Sequence, residues 1–261
     1  MLTRDQIISV LQAELAKHPA IRAATLGGSD ANGRADEVSD IDLFLIVEKG
    51  EGSGGVIEAA AAEVERVLLT LSPIRTKFRL PMPTWHGFHQ AFYQLADAPE
   101  HLMIDWVIVE KETPHPWFEV ERHGTHRVLF DKDGVVVPAH VDRAAIDKAI
   151  EKKVGELRVK FALFKHLPGK LAVRGEGGLP ADAAYFYHAL TLRMLVDMLR
   201  AVHCPERHDF GFRYLKDDLP RREYEMLCRL CYPSGPESIG PNMREIGGEI
   251  ERLLVVWDAG R

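Results

Sequence analysis

Cysteine is scarce in this chain: 261 residues hold three, an odd number. That excludes a disulfide framework and leads us to expect a reducing, cytoplasmic setting. No apolar run reaches the roughly eighteen residues of a membrane span, so no membrane partner is expected. The opening Met1-Leu2-Thr3-Arg4-Asp5-Gln6 lacks the basic stretch and apolar core of a secretory signal. Positive charge is also short, with 33 Lys and Arg against 39 Asp and Glu and a formal net charge of −6. Proteins that grip a polyanion do so with a basic surface, so the balance argues against nucleic acid as a partner. It suits a small acceptor, a cationic one included.

What is present is core-forming material, 46% of the residues, enough for one large or two small domains. Residues 21–27 read as a strand that runs into the turn Gly27-Gly28-Ser29, and Asp30 to Ser39 as a loop or one short turn. Residues 41–47 are apolar on both faces, as in a central strand covered by helices. Strand side chains alternate, so Asp40 and Asp42 project from one face. Two carboxylates held that close repel unless something positive sits between them, and a divalent metal is the usual answer. A glycine turn lets backbone N–H groups approach an anion such as phosphate. A phosphate cradle beside paired carboxylates suits phosphoryl or nucleotidyl transfer. Residues 102–109 make a further apolar strand, interrupted by Asp105 where an unpaired charge is costly. Asp105 shares its face with Val107 and Val109, which turns Glu110 the other way.

The rest of the chain fills in around these strands. Thr3 and Gln6 form a capping box ahead of the stripe Ile7, Ile8, Leu11 and Leu15, and residues 56–71 read as an Ala-rich helix. The glycines of 48–55 are not a Walker-type loop, because no Gly-Lys-Ser/Thr follows. Residues 74–80 alternate, with Arg75, Lys77 and Arg79 on one face; a solvated face is the first reading and a triphosphate contact the second. His86 and His89 read as a loop or surface pair rather than metal ligands. Residues 91–95 make another strand, and 128–134 a short strand and turn that account for Asp131 and Asp133. After Pro138 the pattern becomes helical: a helix over 146–167, a long loop over 168–180, and a helix over 182–203 bearing Tyr185, Tyr187 and His188, read as packing or surface. A helix starts at Pro220, and another is capped by Asn242 and runs to about Trp257. Cys228 and Cys231, with His203-Cys204, spell a zinc site on paper but read as core thiols. The expected division is a domain over 1–138 and a helical one over 139–261.

Leu26, Gly28 and Ser29, then ten residues, then Asp40-Ile41-Asp42-Leu43, with Asp105 on a later strand, resemble the polymerase-beta-like nucleotidyltransferase superfamily. The Leu-Phe-Asp-Lys-Asp-Gly run at 129–134 and the helical tail are similar to the kanamycin nucleotidyltransferase type. The resemblance implies an α+β fold: a mixed β-sheet with flanking helices, followed by an all-α helical bundle that binds the substrate. It implies two Mg2+ ions held by Asp40 and Asp42, with Asp105 completing the site of the ion that activates the acceptor oxygen. Gly28 and Ser29 would hold the β- and γ-phosphates of a nucleoside triphosphate. The implied reaction moves AMP from ATP to a hydroxyl of a small molecule, with aminoglycoside-type antibiotic resistance as the leading example, and releases pyrophosphate. Two alternatives stand beside it: adenylylation of a protein hydroxyl, as in antitoxin-like relatives, and a catalytically silent nucleotide-binding module. The general base, the preferred nucleotide and a homodimer that completes the cleft are left open.

Overall fold

A computed structural model describes residues 1–50, 54–84, 86–111, 113, 118–174 and 181–260. The chain divides into two compact units, Met1–Val141 and Asp142–Arg261. The first is built on a six-stranded sheet. In chain order its strands are β1 (Ile21–Leu26), β2 (Ile41–Val47), β3 (Ile74–Arg79), β4 (His89–Leu95), β5 (Ile104–Glu110) and β6 (Arg127–Asp131). Across the sheet they run β3-β4-β5-β2-β1-β6. The central β2 and β5 pair in parallel, and every other pairing is antiparallel.

Helices α1 (Arg4–Leu15) and α3 (Gly55–Leu71) cover one face, with the four-residue turn α2 (Gly28–Ala31) between them in sequence and α4 (Val120–His123) later. Thr3 caps α1 with the expected reciprocal bonds to Gln6. The buried stripe Ile7, Ile8, Leu11 and Leu15 meets Val64, Val67 and Leu68 of α3 over Leu43, Leu45, Ile104 and Trp106. Each such side chain taken out of water contributes roughly 1.5–3 kcal/mol. On the opposite face Phe44, Ile46, Val107 and Val109 pack with Phe88 and Phe118. Both faces of β2 and β5 are thus covered along most of their length, and the carboxylates lie half-buried at the N-terminal end.

The second unit is helical. Asp142 caps α5 (Arg143–Phe164), which buries Ile146, Ile150, Val154, Leu157 and Phe161 along one stripe. The expected loop at 168–180 is in part a helix, α6 (Leu167–Val173): Pro168 stands in its first turn, where a missing N–H costs nothing. Residues 175–180 lie outside the described residues. The helix α7 (Ala181–Phe186) continues through a π-helical turn, Tyr187–Leu192, into α8 (Arg193–His203). A 3-10 turn (Pro205–Arg207), α9 (Leu215–Asp218), α10 (Arg221–Leu230) and α11 (Pro236–Ala259) complete the unit. Asn242 is not a cap. It lies inside α11 and donates to the Tyr187 hydroxyl at 3.3 Å, while that hydroxyl donates to the Leu230 carbonyl at 2.6 Å. Tyr187 is therefore a packing residue. Arg200, fully buried, donates to Asp218 and to the Gly211 and Arg213 carbonyls, so its charge is matched where it lies. Among the described residues no helix is long and apolar enough to cross a membrane.

Candidate active site

The parallel ladder between β2 and β5 sets Asp42 directly beside Asp105. Asp40 precedes β2 by one residue. Its Oδ1 accepts the Met103 N–H at 3.1 Å, and the Met103 carbonyl accepts from Ile41 N–H at 2.9 Å. The three acids predicted from sequence are thus gathered at one end of two central strands. Burial pushes the Asp42 carboxyl up; the charges of Asp40 and Asp30 add to it, and Arg4 offsets part. Asp105 is pushed up to about 6, mainly by burial, with Asp42 and Asp40 adding and a hydrogen bond from Gln90 opposing. Both acids are held where their own charge is uncomfortable, which is the condition a cation relieves.

The glycine turn sits against the same carboxylate. Gly27 N–H donates to the Asp42 carbonyl at 2.9 Å. Gly28 has φ +51, and a β-carbon there would lie 1.8 Å from Asp42 Oδ2. No other residue fits, on either ground. Ser29 follows in α2. The turn is pinned from beneath by groups that sequence reasoning missed. Asp30 is almost fully buried, paired with Arg4 at the start of α1 and 3.5 Å from Arg127, and Arg4 also donates to the Asp40 carbonyl at 3.2 Å. Asn32 donates to the Gly28 carbonyl at 2.8 Å. His126, buried edge-on against Phe44 and Phe118, lies 2.9 Å from the Thr25 hydroxyl and backs Gly27. A cavity of about 680 Å3 opens beside Arg4, Asp30 and Arg127.

Gln90 is the second group that sequence reasoning missed. Its amide nitrogen donates to both Asp105 oxygens, at 2.8 and 2.9 Å. Phe88 N–H donates to His86 Nδ1 at 3.1 Å, so the ring's other nitrogen, Nε2, carries the proton and donates to Gln90 Oε1 at 2.9 Å. This chain of bonds fixes the amide and aims it at the carboxylate. His86 is therefore a support for Gln90 and not half of a His86/His89 metal pair. The strand holding Gln90 begins at His89, two residues earlier than its apolar pattern suggests.

The basic row of β3 takes no part. Lys77 pairs with Glu65 and Arg79 with Glu58, both on α3, and Arg75 with Glu100 at 3.3 Å. Arg79 also lies over the Trp106 ring, on the α1/α3 face of the sheet, opposite Asp105. A triphosphate at the acids is out of its reach. Asp131 accepts from Val135 and Val136 N–H and Asp133 pairs with Arg22, the turn role expected of them. The thiols are dispersed in character: Cys204 is buried, Cys231 half-buried and Cys228 exposed, which corrects the reading of Cys228 as core.

Among the described residues no group of three His, Cys, Asp or Glu side chains is closed around a metal position. The donors at Asp40, Asp42 and Asp105 nonetheless fit one chemistry. They offer carboxylate oxygen alone, the hard donor that Mg2+ takes, and two of them carry pKa values lifted by burial and mutual repulsion.

No protein with a curated description matches the chain. One solved structure, a STING-associated CdnE c-di-GMP synthase from Capnocytophaga granulosa, is similar over 97% of this chain and 81% of its own, at 12% identity and a TM-score of 0.31. A likeness that slight bears on nothing further. Residues 7–97 match the nucleotidyltransferase domain family, a span that takes in Gly28, Ser29, Asp40 and Asp42 and ends before Asp105. The match does not extend to a subtype. Residues 7–97 are thus similar to a nucleotidyltransferase domain, and that match supports an enzyme of the nucleotidyl-transferring class.

Proposed function

We propose that the chain transfers AMP from ATP to a hydroxyl of a small acceptor and releases pyrophosphate. The observation that carries this reading is the register of Asp42 with Asp105 directly beside the Gly27-Gly28 turn. Asp40, Asp42 and Asp105 would hold two Mg2+ ions, which when bound lower the acceptor's pKa and neutralise charge on the triphosphate. Gly28 and Ser29 would receive the β- and γ-phosphates. The acceptor oxygen attacks the α-phosphorus as the bond to the β-phosphate oxygen breaks. The electron pair leaves with pyrophosphate, and the acceptor proton leaves to solvent. Asp142–Arg261 is read as the substrate-binding or interaction unit.

The test is pyrophosphate release from each nucleoside triphosphate with Mg2+, across small hydroxylated acceptors that include aminoglycosides and lincosamides. Acceptor-dependent release that disappears in Asp40→Ala is the expected result. Release from no pairing, with triphosphate still bound, would instead favour a protein acceptor or a silent module.

A further inference from the structure

The line that joins Asp42 to Asp105 continues past the acids. Asp105 stands directly opposite Phe92 on β4, and Phe92 directly opposite Phe78 on β3. Directly paired residues share a face of the sheet. Phe78, Phe92, Asp105 and Asp42 therefore form one row across four neighbouring strands, and Gly27 closes it at the far end through its bond to Asp42. The two rings are stacked, centroids 6.4 Å apart and planes 15° from parallel. Phe78 is 56% exposed although it sits on an edge strand, where bare aromatic surface is a liability.

Position along the row decides what would cover these rings. Strands lie about 4.8 Å apart, so Phe92 is roughly 5 Å and Phe78 roughly 10 Å from the Asp105 column. The phosphates are assigned to the glycine turn on the other side of Asp42. In-line displacement sets the acceptor opposite the departing pyrophosphate, so a group over the rings is assigned to the acceptor, with its hydroxyl at Asp105. The chemistry of the face narrows it further. Beside the rings, β4 and β3 offer Gln90, Gln94 and Thr76, all neutral, and the cations Lys77 and Arg79 are turned to the opposite side. The patch offers flat apolar surface flanked by neutral side chains.

We propose that Phe78 and Phe92 are the acceptor platform, and that the acceptor carries a planar aromatic ring, a nucleobase or an aryl group, one to two strand spacings from its reactive hydroxyl. The proposal rests on the nucleotidyltransferase reading for the role of Asp105. An acceptor made only of cationic sugar rings lacks the required surface.

The test uses the full chain saturated with Mg2+ and a non-hydrolysable ATP analogue. It is titrated by calorimetry with adenosine, with p-nitrophenyl β-glucoside, and with methyl β-glucoside as the ring-free control. At least one ring-bearing probe should bind tenfold or more tightly than the control, and which one does so names the source of the ring. Phe78→Ala, a change at an exposed site, should weaken that probe at least tenfold, and Phe78→Tyr should restore it. Equal binding of all three probes, binding of none, or indifference to Phe78→Ala would overturn the platform. Failure of the ATP analogue to bind would overturn the nucleotidyltransferase reading instead. Titrations repeated without nucleotide keep the two failures apart.

Discussion

Gly28 and Asp42 are in contact so close that a β-carbon on the glycine would stand 1.8 Å from the carboxylate oxygen Oδ2. Gly28→Ala should therefore displace Asp42 as well as strain the turn. The left-handed backbone costs alanine about 1–2 kcal/mol, and a shift of about 1 Å in a reacting group costs on the order of 100-fold in rate. A thermal melt and kcat/KM measured on the same preparation check both figures. Wild-type turnover in this variant would remove Asp42 from the chemistry.

Asp105 should make metal-free protein sensitive to pH. Its carboxyl is raised from an ordinary 3.8 to about 6. The folded chain then holds the proton more tightly than the unfolded one. Stability from this group is fully present below about pH 4 and is lost as pH rises through about 6. Asp105→Asn should accordingly be the more stable protein at pH 7, by on the order of 2 kcal/mol, and lose that advantage near pH 4. Denaturant melts at the two pH values read it directly. Transfer activity should vanish at both.

Gln90 restrains Asp105 without being able to take its place. Gln90→Leu removes both hydrogen bonds to the carboxylate and should lower Mg2+ affinity or turnover by about 10–100-fold. Gln90→Glu, nearly the same shape, sets a further negative charge against Asp105 and should be the worse of the two. Metal titration of both variants decides it; a harmless Glu would mean the amide has no positioning role.

Arg4 and Arg79 make a contrasting pair. Arg4→Ala strands the buried Asp30 with a single distant partner, Arg127, and should cost about 3 kcal/mol along with the affinity for triphosphate. Arg79→Ala loses a half-exposed pair with Glu58 on the far side of the sheet and should cost no more than about 1 kcal/mol. Its KM for triphosphate should not move. A large KM change in Arg79→Ala would restore the basic row of β3 to the site.

Residues that carry their own signal were readable in advance, and residues defined by a neighbour were not. Gly28, Asp40, Asp42 and Asp105 interrupt otherwise regular patterns, so each announces itself along the chain. Gln90 and Asp30 are ordinary polar residues until strand pairing sets one against Asp105 and helix packing sets the other against Arg4. Lys77 and Arg79 share a face as expected, while a register shift interrupts the alternation at Arg75; alternation itself does not say which face is taken. Helix α3, with Glu58 and Glu65, decided which face that is. In the helical unit, the expected loop over 168–180 and the expected cap at Asn242 both give way to helix. Pro168 and Pro241 both lie within helices, one in a first turn and the other in the body of α11, where packing overrides local preference.

Asp40 has a second employment in the ladder. Its Oδ1 holds the Met103 N–H while Met103 returns its carbonyl to Ile41, so the side chain works as an alignment pin between β2 and β5. A slip of one residue between those strands would turn Asp105 toward α1 and α3 and bury it. Removing Asp40 thus loosens the geometry of its neighbour as well as deleting a charge, and inactivity at this position alone is ambiguous between ligation and alignment. The two duties separate in Asp40→Asn, which keeps an oxygen for Met103 but gives up the negative charge.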